Sequence, residues 1–148
     1  MNFCSFDKKF VDSIYDIEKS VFTDNYSVNT LNHICEDELY KYSVVLTIDK
    51  DVIAYIIVYE IAGEAEIHRI AVDDKFRKKG FGELILKKFI DELINDNIAC
   101  LHLEVRKNNY IANCLYKKLG FELVGVRKGY YSDNNEDALL YTLNLVRR

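Results

Sequence analysis

Apolar positions recur along this chain with two different periods, and the changes between them divide it into elements. Phe10, Ile14, Ile17 and Val21 are spaced as on one face of a helix, which predicts an amphipathic helix over 7–20. Leu31, Ile34 and Cys35 give a second stripe over 27–39, with Ser27 placed to cap it. From Ser43 the pattern turns β-branched. Strands are predicted over 43–48 and 52–61, joined through Asp49-Lys50-Asp51 as a hairpin, and over Glu64–Val72 after the turn at Gly63. Strict alternation puts Glu66, His68, Ile70 and Val72 on one face of that last strand and Ala65, Ile67, Arg69 and Ala71 on the other. Residues 82–94 read as a helix burying Leu84, Ile85, Phe89, Ile90, Leu93 and Ile94, with Lys87, Lys88, Asp91 and Glu92 outside. A strand over 99–105 follows, then a helix over 109–119 stopped by Gly120. Strands over 121–126 and 138–145 close the chain, with 130–136 a polar loop between them, and residues 2–5 make a short edge strand. The order β-α-α-β-β-β-α-β-α-β-β, with strands on both sides of a central β-α-β unit, predicts an α/β fold with a mixed sheet. A single domain over 1–148 is expected.

Composition changes this picture only at the margins. There is no proline, so chain reversals fall to Gly, Asn and Asp. Cys4, Cys35, Cys100 and Cys114 are far apart, form no CxxC pair, and with three histidines suggest no close Cys/His cluster. Reduced thiols and no bound metal are therefore expected. The formal net charge of −4 argues against nucleic acid as the main partner. No apolar run reaches the ~20 residues a membrane-spanning helix needs, and the N-terminal residues lack the layout of a secretory signal. The expectation is a cytoplasmic protein, a monomer or weak dimer, with no membrane partner.

The first candidate chemistry lies between the strand ending at Val72 and the next helix, where the chain reads Arg77-Lys78-Lys79-Gly80-Phe81-Gly82. Two glycines let backbone N–H groups approach a ligand, and a helix N-terminus concentrates unpaired donors. With three consecutive cations, such a segment suits phosphate or pyrophosphate, and it is equally readable as a basic loop with two turn glycines. Neither a GxxxxGK[ST] loop nor a GxGxxG fingerprint is present.

The R-x-x-G-x-G arrangement after Ile-Ala-Val-Asp resembles the acyl-CoA loop of the GNAT superfamily of N-acetyltransferases. Downstream, Leu103-Glu104-Val105-Arg106, Asn109, Leu115-Tyr116-Lys117-Lys118-Leu119-Gly120-Phe121, Tyr130-Tyr131 and Glu136-Asp137-Ala138 follow in order. Together these resemble the bacterial ribosomal-protein alanine N-acetyltransferases of the RimI type, over residues 64–145. Two departures stand out: Asn25-Tyr26-Ser27 replaces a Pro-Trp-Ser common in that group, and Tyr141 replaces a Met.

The resemblance implies the GNAT fold and acetyl-CoA as acetyl donor, held by the amides of Arg77, Lys78, Lys79, Gly80, Phe81 and Gly82 at its pyrophosphate. The backbone of Ile70, Ala71 and Val72 would meet its pantetheine arm and acetyl carbonyl. The acceptor would be a protein N-terminus, a ribosomal alanine foremost, or a small amine such as a polyamine, amino acid or antibiotic. Glu104 matches the base of the family; flanked by Leu103 and Val105, a carboxylate is costly to bury without purpose or partner, and Arg106 on the same face is the other candidate partner. Tyr116 matches the acid that meets the leaving thiolate, or it anchors its helix as an aromatic. Asn109 matches a cofactor contact or a helix cap, and Tyr130 and Tyr131 a lining of the acceptor groove or anchors of a loop. His68 is read as a satisfied strand histidine, with a substitute base as the alternative. A CoA-binding module without catalysis and a nucleotide-binding domain are the readings outside this class.

Overall fold

The computed structural model describes residues 1–146, so the last two residues of the expected domain lie outside it. Among the described residues, one sheet of seven strands comprises β1 Asn2–Ser5, β2 Val44–Ile48, β3 Asp51–Ile61, β4 Glu64–Val72, β5 Cys100–Arg106, β6 Glu122–Tyr131 and β7 Glu136–Asn144. Their spatial order is β1-β2-β3-β4-β5-β7-β6. The helices are α1 Val11–Val21, α2 Val28–Glu36, α3 Phe81–Asn95 and α4 Tyr110–Lys118. Neighbouring strands are antiparallel except β4 and β5, which run parallel because α3 carries the chain back across the sheet between them. The mixed α/β architecture and its element order are as the hydrophobic pattern predicts. No helix is long and apolar enough to cross a membrane.

The sheet separates two apolar layers. Ile85, Leu86, Phe89 and Leu93 of α3, all fully buried, pack with Tyr116 of α4 against Leu46, Ile56, Leu101 and Leu103. On the other face, Val11, Ile14 and Ile17 of α1 and Leu31 and Ile34 of α2 cover Val45, Tyr55, Ile57 and Ala71. β3 is buried on both faces from Val52 to Val58, which is why its sequence is an unbroken apolar run without alternation. Each fully buried side chain in these layers contributes roughly 1.5–3 kcal/mol.

Local chemistry sets the element ends. Ser27 accepts a hydrogen bond from Thr30 N at 3.1 Å and caps α2 as expected. The predicted second helix is shorter than 27–39 because Asp37 turns extended and its carboxylate takes Leu39 N at 2.9 Å, starting a separate 3-10 turn. Similarly, Asp7 caps a 3-10 turn ahead of α1 by accepting from Lys9 N. Asp49 and Lys50 both take positive φ, 49° and 72°, as the two centre residues of a tight hairpin turn require. At the end of α4, Gly120 with φ 95° lets its N–H reach Lys117 O and the Phe121 N–H reach Tyr116 O, closing the helix on the Tyr116–Phe121 ring contact.

Two expectations need correction. β6 runs on to Tyr131, so Tyr130 and Tyr131 are strand residues rather than part of a loop over 130–136. Register shifts between Leu123 and Gly125 and between Arg127 and Tyr131 let β6 hold extra residues against β7, and Gly129, at φ 60°, donates to Asp137 Oδ1. Strict alternation also fails in β4. Arg69 pairs with Ile57 and Ile67 pairs with Val58, so His68 is an extra, bulged residue. The face changes there: Ala65 and Ile67 share the α3 layer with Ile70 and Val72, while Ala71 joins the α1–α2 layer.

Candidate active site

The bulge at His68 coincides with the end of the pairing between β4 and β5. The parallel ladder runs only from Glu64–Cys100 to Ile67–Leu103. Beyond it the strands part around a cavity of about 520 Å³, lined by residues 67–70 of β4, 103–106 of β5, Asn109 and Tyr116 of the α4 region, and Tyr131 of β6. Past α1, Phe22 and Asp24 form another wall. Asp73 N donates to Ile53 O of β3. Because successive amides of a strand point to opposite sides, those of Ile70 and Val72 are aimed away from β3, toward the side where β5 has left.

The loop and helix after β4 form a second feature. The chain leaves Val72 through a 3-10 turn over Asp74–Phe76, where Arg77 Nε lies 3.0 Å from Asp74 Oδ1 and 3.5 Å from Val72 O. α3 then starts at Gly80, which has φ 83° and no side chain to cap the helix. A Cβ built there meets nothing within 4 Å. The first-turn N–H groups of α3 therefore open outward without a side-chain cap, the arrangement that receives an anion. Lys78 and Lys79 make no salt bridge among the described residues, while Glu83 is drawn aside to Lys118 Nζ at 2.6 Å. These observations fit a phosphate-bearing group.

Glu104 and Tyr116 reach the same cavity from opposite sides of the sheet. The Glu104 side chain is 23% exposed, and its Oε1 lies 3.5 Å from Arg127 Nε. Arg106, the partner that the sequence offered, instead binds Asp133 at 3.1 Å and Glu136 at 3.4 Å and stacks on Tyr131. Tyr116 is 5% exposed, and burial, with Tyr131 adding to it, pushes its phenol up to about 12. Tyr130 does not line the cavity; its phenol is raised first by the charge of Glu104 and then by burial. Asn109 caps α4 by accepting from Ala112 N at 3.2 Å, at the cavity wall. His68 stacks on Tyr59 and meets Tyr40 edge-on, which accounts for its place. Ala71, Val72 and the Arg77–Gly82 segment lie outside the cavity lining, at the end of β4 and the start of α3. A second cavity, of about 500 Å³ beside Asp16, Asp51 and Asp74, contains none of the predicted residues.

Three groups were not legible as site residues. Glu18 is fully buried; it accepts from Tyr26 N and the Tyr55 hydroxyl and lies 3.4 Å from Arg69 Nε. That contact is an ion pair without hydrogen-bond geometry, so Nε has no formal partner. The Arg69 guanidinium is held 4.1 Å from the Phe22 ring and 4.2 Å from the Tyr26 ring at the cavity wall. Asn113 donates to the carbonyls of Arg106, Lys107 and Asn109 and accepts from the Tyr141 hydroxyl at 2.8 Å, which gives the buried Tyr141 phenol its partner. Finally, the expectation of no close Cys/His cluster does not hold: Cys100, His102 and Glu64 bring their side-chain ligand atoms together on adjacent strands. Only an i, i+2 spacing within β5 signals it in the sequence.

Comparison with known proteins agrees with this fold. The sequence profile of the acetyltransferase (GNAT) family matches residues 11–121. The chain is 38% identical over 100 residues to a ribosomal protein bS18-alanine N-acetyltransferase of Salmonella typhimurium, covering 66% of this chain and 68% of that one. It is 32% identical over 140 residues to the enzyme of that name from Haemophilus influenzae, covering 93% and 90%. The crystal structure of the ribosomal-protein-S18-alanine N-acetyltransferase from Escherichia coli superposes with a TM-score of 0.92 at 31% identity, covering 99% and 95%.

Proposed function

The chain belongs to the acetyltransferase (GNAT) family, and on that premise we propose that it acetylates the N-terminal α-amine of a protein beginning with alanine, a ribosomal protein foremost. As a member of the family it is an acetyl-CoA-dependent N-acetyltransferase. The choice of acceptor rests on relatives whose names specify the alanine of ribosomal protein bS18. The observation that carries the reading is that Glu104, Tyr116 and Ile70 line one cavity where β4 and β5 stop pairing.

Acetyl-CoA supplies an acetyl group activated as a thioester. The amides and cations of Arg77, Lys78, Lys79, Gly80, Phe81 and Gly82 hold its pyrophosphate at the uncapped start of α3. The backbone of Ile70, Ala71 and Val72 orients its arm, and an amide near Val72 faces the oxygen on which charge develops. Asn109 contacts the donor with the part of its amide not used in capping. Glu104 accepts the proton of the attacking amine, directly or through one water. An α-amine with a reference pKa of ~7.7–8.0 needs only modest help, whereas a lysine amine at ~10.4 needs far more. Tyr116 keeps its proton throughout the working range, since burial raises its phenol. It therefore acts at the leaving sulfur as a hydrogen-bond donor. Full transfer to a thiolate of pKa ~8.5 is uphill. Tyr131 lines the acceptor side, with Tyr130 packed edge-on against its ring outside the cavity lining.

The test is thiol release from acetyl-CoA with peptides that begin in alanine, matched peptides blocked at the N-terminus, and polyamines. Turnover is expected only with free alanine termini, and Glu104→Gln lowers kcat/KM by roughly 10²–10⁴-fold near neutral pH. That deficit shrinks as pH rises through the amine pKa, because solvent then removes the proton. Turnover only with polyamines discards the protein acceptor, and full activity in Glu104→Gln discards the base.

A further inference from the structure

At the joined end of β4 and β5, away from the parting of the strands, Glu64 pairs in register with Cys100, and His102 lies two residues further along β5. Glu64 Oε1 lies 3.3 Å from Cys100 Sγ and 3.2 Å from His102 Nε2, and Sγ and Nε2 are 3.2 Å apart. We propose that these three side chains form a binding site for one divalent transition-metal ion of the zinc class.

The size of the triangle supports this. Bond lengths of ~2.3 Å to sulfur and ~2.0–2.1 Å to nitrogen or oxygen at tetrahedral angles place ligand atoms ~3.3–3.6 Å apart. The three observed edges fall within a few tenths of an ångström of that range, so small rotations of the side chains admit the ion. Thiolate and imidazole select zinc over magnesium or calcium, which favour all-oxygen shells.

The imidazole is also oriented for the purpose. His102 Nδ1 lies 2.8 Å from Oγ1 of Thr142, its partner across β7. With its proton on Nδ1 donated to Thr142, the neutral ring turns the Nε2 lone pair toward Cys100 and Glu64, as outer-shell partners do for metal-binding histidines. Backbone ladders fix all three strands, so little ordering remains to be done on binding. The Glu64 side chain is 65% exposed and that of His102 39%, which leaves the fourth position to water. Binding replaces the Cys100 thiol proton, which passes to solvent. The ion ties β4 to β5 and thereby fixes the end from which the strands diverge.

The experiment titrates chelator-stripped protein with zinc chloride against a chromogenic zinc indicator, with cobalt(II) as a spectroscopic substitute. Zinc saturates at one equivalent, and cobalt gives a thiolate charge-transfer absorption with the intense visible bands of a four-coordinate ion. Cys100→Ser and His102→Ala each weaken zinc binding at least tenfold, and Thr142→Val weakens it about tenfold. Cys114→Ser, at an exposed cysteine elsewhere, changes nothing. Circular dichroism and melting without metal confirm that the variants are folded. Absence of stoichiometric zinc, a cobalt spectrum without the thiolate band, or binding unmoved in folded Cys100→Ser and His102→Ala would overturn the proposal.

Discussion

Replacing Glu18 by Gln tests the buried charge that shapes the cavity wall. The Glu18 side chain is fully buried, and its Oε1 both accepts from Tyr26 N at 2.8 Å and faces Arg69 Nε at 3.4 Å. The guanidinium it balances is 11% exposed, and its remaining anion, Asp24, is 80% exposed. A carboxylate so wetted contributes little. Glutamine preserves the shape and the bond to Tyr26, but it leaves the guanidinium without a buried counter-charge and presents an amide N–H where the Tyr55 hydroxyl now donates. Removing one partner of a buried pair costs ~3–5 kcal/mol. The bond that Arg69 keeps to Asp24 O, at 2.7 Å, places this case at the low end. A loss of about 3 kcal/mol in a domain of this size lowers Tm by roughly 6–12 °C. Thermal melts followed by circular dichroism measure it, and the loss persists at high salt because a buried pair is poorly screened. Glu18→Gln/Arg69→Met recovers most of the stability, since apolar replacement of both charges is close to neutral. A Glu18→Gln protein that melts with the parent, or a double variant that loses the sum of both single losses, would refute the reasoning.

The Tyr116 phenol predicts alkaline behaviour. Its folded pKa is raised to about 12, whereas an unfolded tyrosine titrates near ~10. Its contribution is therefore complete below pH ~10 and is lost as pH rises through the folded value, by roughly 3 kcal/mol for such a shift. Urea unfolding at pH 9 to about 11 should show a shallower decline for Tyr116→Phe than for the parent; equal slopes would remove the buried phenol from the account. Gly120→Ala meets only Leu143 Cδ1, at 3.6 Å from the built Cβ, so its cost is the left-handed φ of 95°. That amounts to about 1–2 kcal/mol by urea midpoint, and an unchanged midpoint would contradict it.

Most of the fold could be read from the sequence because its long elements obey one period each. Of the predicted α3 stripe, Ile85, Phe89 and Leu93 are fully buried and Leu84, Ile90 and Ile94 half-buried, while Leu86, outside that stripe, is fully buried as well. The Glu64–Val72 strand is predicted to the residue. Failures cluster where a side chain competes with the backbone, as at Asp37, or where a strand carries extra residues, as in β6. Glu104 and Tyr116 were accessible through motifs. Their meeting at one cavity was not, because it depends on where two strands cease to pair. Glu18 and Arg69 gave no local signal: 51 positions separate them in sequence, and each alone is an ordinary charged residue. The pairing of Asn113 with Tyr141 is hidden for the same reason, although it explains how a polar tyrosine is accommodated in the core.

The bulge in β4 did leave a trace that alternation overlooks. Ala65, Ile67, Ile70 and Val72 all belong to the α3 layer, so the intervals between them are two, three and two. A strand without an extra residue would keep Ile67, Arg69 and Ala71 on one face. Arg69 would then point into the apolar layer built by Phe89 and Leu93, and its charge would have no partner there. Inserting His68 reverses the phase, returns Ile70 and Val72 to the apolar side, and delivers Arg69 to Glu18 on the opposite face. The same extra residue falls where the ladder to β5 ends at Ile67–Leu103. One irregular interval in the apolar pattern therefore marks both the change of face and the opening of the cavity. Such a break in an otherwise consistent strand is where a candidate site is best sought.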